Sequence, residues 1–183
     1  HSLAGFYTRD LGNFRLKAGA QFDYFHYHSD LYGVDGSSIK RSSDHFLNYF
    51  VSFAMDTYDR RYFPSRGGRV HIQGTVHTDD GINYDDGKPF GDVALHTECA
   101  LRLSSRFYLI PKLKGRFLFG DNVPAIYQNC AGGNSDAVYL PWQMAWETAQ
   151  HTHLLERNVM TAQLALRYRL KKKFYVAALG EYG

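Results

Sequence analysis

The chain has 183 residues, a formal charge of +3 and an aromatic content of 16%, with 14 Tyr, 13 Phe and 2 Trp. That length suits one domain or a piece of a larger one, and so small a charge excess argues against nucleic acid or an anionic lipid surface as the main partner. The sequence holds no run of eighteen apolar residues, so no helix of it is expected to span a bilayer. A negative mean hydropathy leaves a transmembrane barrel open, because such a barrel has a polar interior. The chain opens on His1 without a Met or a leader, so whatever preceded it is expected to have been removed.

Residues 1–9 suit a short strand, and 10–13 (DLGN) a turn. Over residues 14–29 the alternation is the clearest in the chain. Phe14, Leu16, Ala18, Ala20, Phe22 and Tyr24 fall on one side, and Arg15, Lys17, Gly19, Gln21 and Asp23 on the other. Period two is the signature of a strand with one apolar and one polar face. A polar loop over 30–44 follows. Leu47, Tyr49, Val51, Phe53 and Met55 then alternate with Asn48, Phe50, Ser52, Ala54 and Asp56, and after a turn Val70, Ile72, Gly74 and Val76 alternate with Arg69, His71, Gln73, Thr75 and His77. Between them Pro64 fixes φ and Gly67 and Gly68 admit positive φ, so the connection reads as a hairpin.

A second polar loop, acidic and rich in turn residues, covers 79–89. Residues 90–103 set Val93, Leu95, Thr97, Cys99 and Leu101 against Asp92, His96, Glu98 and Arg102, and Ser104-Ser105 is a minimal turn. Residues 106–119 set Phe107, Leu109, Leu113 and Phe117 against Arg106, Tyr108, Lys112, Lys114 and Arg116. The longest loop, 120–156, carries CAGGN at 130–134 and LPW at 140–142, with a short helix expected within 143–156. Residues 158–170 set Met160, Leu164 and Leu166 against Thr161, Gln163, Arg167 and Arg169, and a final strand begins at Phe174. The fold class is therefore all-β: an antiparallel meander of about eight strands, forming part or all of a transmembrane β-barrel. Short and long connections alternate, which puts all the short ones at one end, as in outer-membrane barrels.

Alternation alone does not say which face is inside. A soluble β-barrel or sandwich holding an apolar ligand turns the apolar face inward, and a membrane barrel turns it outward. Three features favour outward: apolar faces nine to twelve residues long almost without charge, charges in register on the opposite faces, and aromatics near strand ends. In that register Glu98 is expected opposite Lys112, Asp92 within a residue or two of Arg116, and Asp56 opposite His71. Such opposite-charge pairs contribute about 0.2–1 kcal/mol each. The expected lumen charges are Arg15, Lys17, Asp23, His71, His96, Glu98, Lys112, Lys114, Arg116, Arg167 and Arg169.

The hairpin segment 56–68, DTYDRRYFPSRGG, resembles the D-x-x-D-x-x-x-F-P-x-x-G hairpin of the bacterial surface antigen family, with Asp56, Asp59, Phe63, Pro64, Arg66 and Gly67 on its positions. That family contains the BamA/TamA-like outer-membrane barrels, and the likeness is greatest to the form fused C-terminally to patatin-like phospholipases of Bacteroidetes-type bacteria. Gly132 and Gly133 of the CAGG run, followed by Pro141 and Trp142, look like that superfamily's inward-folding loop. The resemblance implies a bacterial outer-membrane location, about sixteen strands in the whole barrel, so that residues 1–183 form a single barrel domain or a fragment of one, and a role as membrane anchor or translocation pore for an upstream passenger or hydrolase. A general diffusion porin is the alternative pore. The family's loop often carries an Arg-Gly tip, whereas no Arg lies between Arg116 and Arg157 here, which argues against a BamA-type assembly role.

No G-x-S-x-G nucleophile elbow is present, so no catalytic residue, metal or cofactor is assigned, and any acyl hydrolase chemistry belongs upstream. Cys99 and Cys130 give no disulfide framework. The histidine pairs His26/His28 and His151/His153, the polar-face trio His71, His77 and His96, and the acidic run Asp79, Asp80, Asp85 and Asp86 are the only groups with metal-like composition. The last lacks EF-hand spacing.

Overall fold

The computed structural model describes residues 1–27, 42–85, 87–121, 123–133, 142–146, 154–171 and 174–183. Ten-residue and longer strands dominate: β1 (Ser2–Leu11), β2 (Phe14–Tyr27), β3 (Ser42–Asp56), β4 (Gly67–Thr78), β5 (Phe90–Arg102) and β6 (Phe107–Phe119). Three short strands follow, β7 (Asn129–Ala131), β8 (Gln143–Met144) and β9 (Leu154–Glu156), and then β10 (Asn158–Lys171) and β11 (Phe174–Tyr182). Every neighbouring pair in the eight-stranded sheet is antiparallel, in the order β1-β2-β3-β4-β5-β6-β10-β11. The expected meander is thus present. Its longest connection, between β6 and β10, carries a separate three-stranded sheet, β8-β7-β9, that sequence periodicity did not foresee.

The short helix expected within 143–156 falls largely on residues 147–153, which lie outside the described ones; residues 143–144 and 154–156 are strand, and among the described residues a helical turn lies at Ala125–Tyr127. The register pairs Glu98 with Lys112, and Asp92 lies two residues along from the partner of Arg116, which is Ala94. Asp56, however, faces Arg69 rather than His71, which lies opposite Ala54. The reason is local. Thr57 and Gly68 close one more rung, with the Thr57 N–H donating to Gly68 O at 2.9 Å and the Thr57 hydroxyl to the same oxygen at 3.0 Å. The turn therefore tightens by two residues, a shift that keeps every side chain on its own face.

The two faces differ in kind. On one, Val51, Met160, Leu164 and Leu166 are 62, 54, 50 and 41% exposed. On the other, Asp23, Asn48, Ser52, Asp92, Arg116, Thr161 and Arg167 are buried. This is the reverse of a water-soluble sheet, where burial follows hydrophobicity. Near the short-turn end the apolar face carries the aromatic pairs Phe14–Phe53 and Phe107–Tyr168, with ring centroids 5.8 and 4.7 Å apart.

The sheet also curls. Four strand spacings separate β4 from β11, roughly 19 Å in a flat sheet. Yet Phe63, in the β3–β4 turn, stacks on Tyr175 of β11 at 4.6 Å and an interplanar angle of 10°. Pro64 O of the same turn accepts a hydrogen bond from Arg167 of β10. The turn leans across the polar face at the short-connection end. Its backbone is bent to do so: Phe63 has φ 51° and Gly67 φ 98°, a region that L-residues adopt at a cost.

At Gly67 a Cβ would also run into the Thr57 carbonyl. Gly67→Ala is accordingly expected to destabilise the folded protein by at least ~1 kcal/mol, read as a lower urea midpoint in detergent. An unchanged midpoint would show that the turn does not hold this backbone.

Candidate functional site: an inward loop bolted to the polar face

The polar face is organised by side chains that period two brings to one side of β2–β6. From β2, Gln21 Nε2 donates to Asp23 at 2.8 Å. Asn48 of β3 donates to Asp23 Oδ2 at 2.6 Å. His77 of β4 spans from Asn48 Oδ1, 2.7 Å from Nδ1, to Asp92 Oδ2 of β5, 2.6 Å from Nε2. Arg116 of β6 donates to the same Asp92 oxygen at 3.0 Å. The result is a continuous polar chain across five strands, and His77, Asp92 and Arg116 are 1, 3 and 2% exposed. A buried ion pair is tolerated when hydrogen bonds satisfy its remaining atoms, and the loop after β6 supplies them.

Arg116 Nη1 donates to Tyr127 O at 2.6 Å and to Asn129 Oδ1 at 3.1 Å, while its guanidinium carbon lies 3.8 Å from the ring centroid of Trp142. Asn129 in turn donates to Arg116 O at 3.0 Å and to Arg157 O at 2.8 Å. Above this pair the Tyr127 ring sits 4.8 Å from Phe46, 4.4 Å from His77 and 5.2 Å from Phe90. Phe46, Phe90 and Tyr127 form a buried apolar cluster, with Phe25, Tyr84, Val123, Ile126 and Trp142 around it. So the apolar core of the described residues lies on the polar face, between sheet and loop. The loop's own strands hold its glycines: Gly132 N donates to Met144 O at 3.1 Å, and Gly133 O accepts from Trp146 N at 2.8 Å. Gly132 and Gly133 have φ 145° and 79°, conformations that favour glycine. Pro141 lies outside the described residues.

The remaining expected lumen charges also fall on this face, in three groups. Arg15 pairs with Asp10 at 2.6 Å in an exposed position beside the edge strand, and Lys17 Nζ lies 3.7 Å over the Phe6 ring. Glu98 lies between Arg69 and Lys112, at 3.6 and 3.9 Å, and His96 faces His71 on one side and Lys114 on the other. Arg167 lies near the Tyr108 and Tyr175 rings, at 5.0 and 5.3 Å, below the turn, and Arg169 donates to Ser105 O at 2.7 Å.

The hairpin residues are organised by two carboxylates. Asp59 accepts from Ser65 N at 2.8 Å, Ser65 Oγ at 2.5 Å and Arg66 N at 3.2 Å, and Asp56 from Arg69 Nε at 2.8 Å. Hydrogen bonding by the Ser65 hydroxyl, with backbone N–H groups and Arg60 adding to it, holds the Asp59 carboxyl at a pKa of about 2. A depressed carboxyl stabilises the folded turn above its unfolded value near 4 and loses that contribution as pH falls through the folded value. Protection of the Ser65 and Arg66 amides from exchange is therefore expected to fall between about pH 4 and pH 2, and to be low at neutral pH in Asp59→Asn.

Of the histidine trio, His77 is taken up by Asn48 and Asp92, and no metal-grade cluster occurs among the described residues. His28, His151, His153 and Asp86 lie outside them. Asp80 instead caps a turn, accepting from Ile82 N and Asn83 N at 2.7 and 2.6 Å. Period two put His77 and Asp92 on the polar face. Tyr127 and Asn129 sit in irregular backbone, where no periodicity marks them.

An open antiparallel sheet with apolar residues outside, ionised residues inside and a loop folded onto the inner face defines part of an outer-membrane β-barrel wall. A family model described as the OMP85 superfamily matches residues 6–183, and the chain belongs to that superfamily. Its members are bacterial outer-membrane barrels that translocate or assemble other proteins. No curated protein matches the chain.

Proposed function

We propose that residues 1–183 are the wall and inward loop of an outer-membrane barrel that anchors, or translocates, a passenger encoded with it, and that the passenger is a patatin-like phospholipase. The polarity of the sheet carries the first part: Leu164 and Leu166 stand outside while Arg116 and Asp92 are nearly fully buried. Such an outer face suits contact with lipid, which offers backbone groups no hydrogen bonds and is tolerated because the strands of a closed barrel satisfy one another. The two edges β1 and β11 do not pair with each other, which fits a larger barrel supplying further strands. The hairpin at 56–67 supports the phospholipase reading, since its motif resembles the patatin-linked form.

The test is to purify the full-length protein from outer membranes. A heat-modifiable band together with hydrolysis of long-chain phospholipids, abolished by Ser→Ala in an upstream G-x-S-x-G, is expected. A heat-modifiable barrel without hydrolysis would replace the passenger, and absence from the outer-membrane fraction would end the barrel reading.

A further inference from the structure

The formal charge of +3 hides a segregation of charge between the two ends of the strands. The segments around the short connections, 9–15, 56–69, 102–106 and 169–173, hold twelve of the chain's 21 Lys and Arg but only three of its 18 Asp and Glu. The segments around the long connections, 28–45, 79–89 and 120–157, hold eleven acidic residues and four basic ones. The three carboxylates of the basic end are already engaged. Asp10 pairs with Arg15 at 2.6 Å and Asp56 with Arg69 at 2.8 Å, and Asp59 accepts from the Ser65 hydroxyl with Arg60 3.8 Å away. Arg9, Arg61, Arg66, Arg102, Arg106 and Lys171 are exposed and have no carboxylate partner among the described residues.

Three of these cations stand where the strand ends meet the apolar face. Arg9 pairs with Leu16, so it shares the outer face with Tyr7 and Leu11, two residues short of the end of β1. A bulge between Arg169 and Lys171 sets Lys171 opposite Phe174, an exposed ring of the same face. Arg106 reaches the phenol oxygen of Tyr168 at 3.4 Å, and the Tyr168 ring packs on Phe107. Tyr and Trp rings favour the headgroup level of a bilayer. Long basic side chains there keep their stems on apolar surface and their charges in the polar layer.

We infer that the short-connection end is a binding surface for anionic glycerophospholipid, whose phosphodiester is taken by Arg9, Arg106 and Lys171 beside the aromatic rings. Charge complementarity sets the sign of the ligand, since each Lys or Arg near an anionic leaflet adds to the attraction. Placement sets its kind: these cations stand on the outward side of the wall, which a protein docking at the lumen mouth is not placed to meet. The acidic segments at the other end repel the same headgroup, which confines the preference to one leaflet. The inference rests on the outward placement of the apolar face and is independent of any passenger.

The experiment inserts the full-length protein into phosphatidylcholine vesicles containing a trace of phosphatidylglycerol, or of phosphatidylcholine, with a diazirine near the top of one acyl chain. Labelled peptides are mapped by mass spectrometry. At low salt the phosphatidylglycerol probe is expected to label the peptides around Arg9, Arg106 and Lys171 about fivefold more than the phosphatidylcholine probe. In about 1 M salt that excess should largely vanish. Arg9→Gln, Arg106→Gln and Lys171→Gln, all at exposed sites that tolerate substitution, should each remove the excess at their own peptide. Lys88→Gln, in an acidic connection, should leave all three unchanged. Equal labelling by the two probes, an equal excess at 79–89, or an excess untouched by the three variants overturns the assignment and gives these cations to an acidic protein partner or to solvent. A protein that fails to insert removes the outward placement itself, a result distinct from uniform labelling of an inserted one.

Discussion

Arg116→Met is expected to release the inward loop and to destabilise the protein by about 3–5 kcal/mol, the usual cost of breaking a buried ion pair from one side. The substitution removes the partner of Asp92 at 3.0 Å and the donor to Tyr127 O at 2.6 Å, and leaves Asp92 only His77. It also strips Asn129 Oδ1 of its donor. The first measurement is the urea midpoint of the purified protein. The second is protease cleavage within 120–157, which should accelerate because the loop loses its main bolt. Asp92→Asn combined with Arg116→Met should cost less than the sum of the two single changes, since the charge stranded by the first is removed by the second. Strict additivity, or an uncleaved loop in Arg116→Met, would mean that the aromatic cluster alone holds the loop.

Placing a charge on the opposite face should be nearly as damaging. Leu164 lies midway along β10, opposite Pro111 on one side and Gly180 on the other, and is half exposed. In a bilayer, Leu164→Arg is expected to cost roughly 2–4 kcal/mol, the range for a cation near the midplane of a barrel's lipid face. In a water-soluble protein the same change at an exposed site would be close to neutral. Folding efficiency into phosphatidylcholine vesicles separates the two. A variant that folds as well as the parent would falsify the outward placement of this face. Gln163→Arg, one residue away on the polar face, is the control and should fold normally.

The two changes probe different links in the chain of argument. Leu164 tests what period two dictates, and Arg116 tests what the loop adds to it. Strand parity was readable because a pleated backbone sends successive side chains to opposite faces regardless of context. That rule placed Asp23, Asp92, Lys112 and Arg167 on one side from the chain order alone, and it survived the two-residue slip at Asp56, since an even shift moves no side chain across the sheet. The slip itself was not readable. It depends on Thr57 and Gly68 making hydrogen bonds that compete with a looser, symmetric turn.

The loop was the least legible part. Its glycines, with Trp142, were recognisable as a motif, but a motif does not say what it docks on. Nothing local distinguishes Tyr127 from the other thirteen tyrosines, yet it is the ring that fills the space between Phe46 and Phe90. Nor could the reach of the β3–β4 turn to Tyr175 be foreseen, because it depends on how far the sheet curls over four strands.

By itself the sequence determined the eight strands of the main sheet, their antiparallel order and the polarity of each face, because these follow from nearest-neighbour alternation and from connection lengths. Tertiary structure alone decided that Arg116, Asp92 and His77 meet Tyr127 and Asn129, and that a core forms on the charged side. Those contacts join residues far apart in the chain, and their existence rests on the curl of the sheet and the fit of one irregular loop, neither of which any local period encodes.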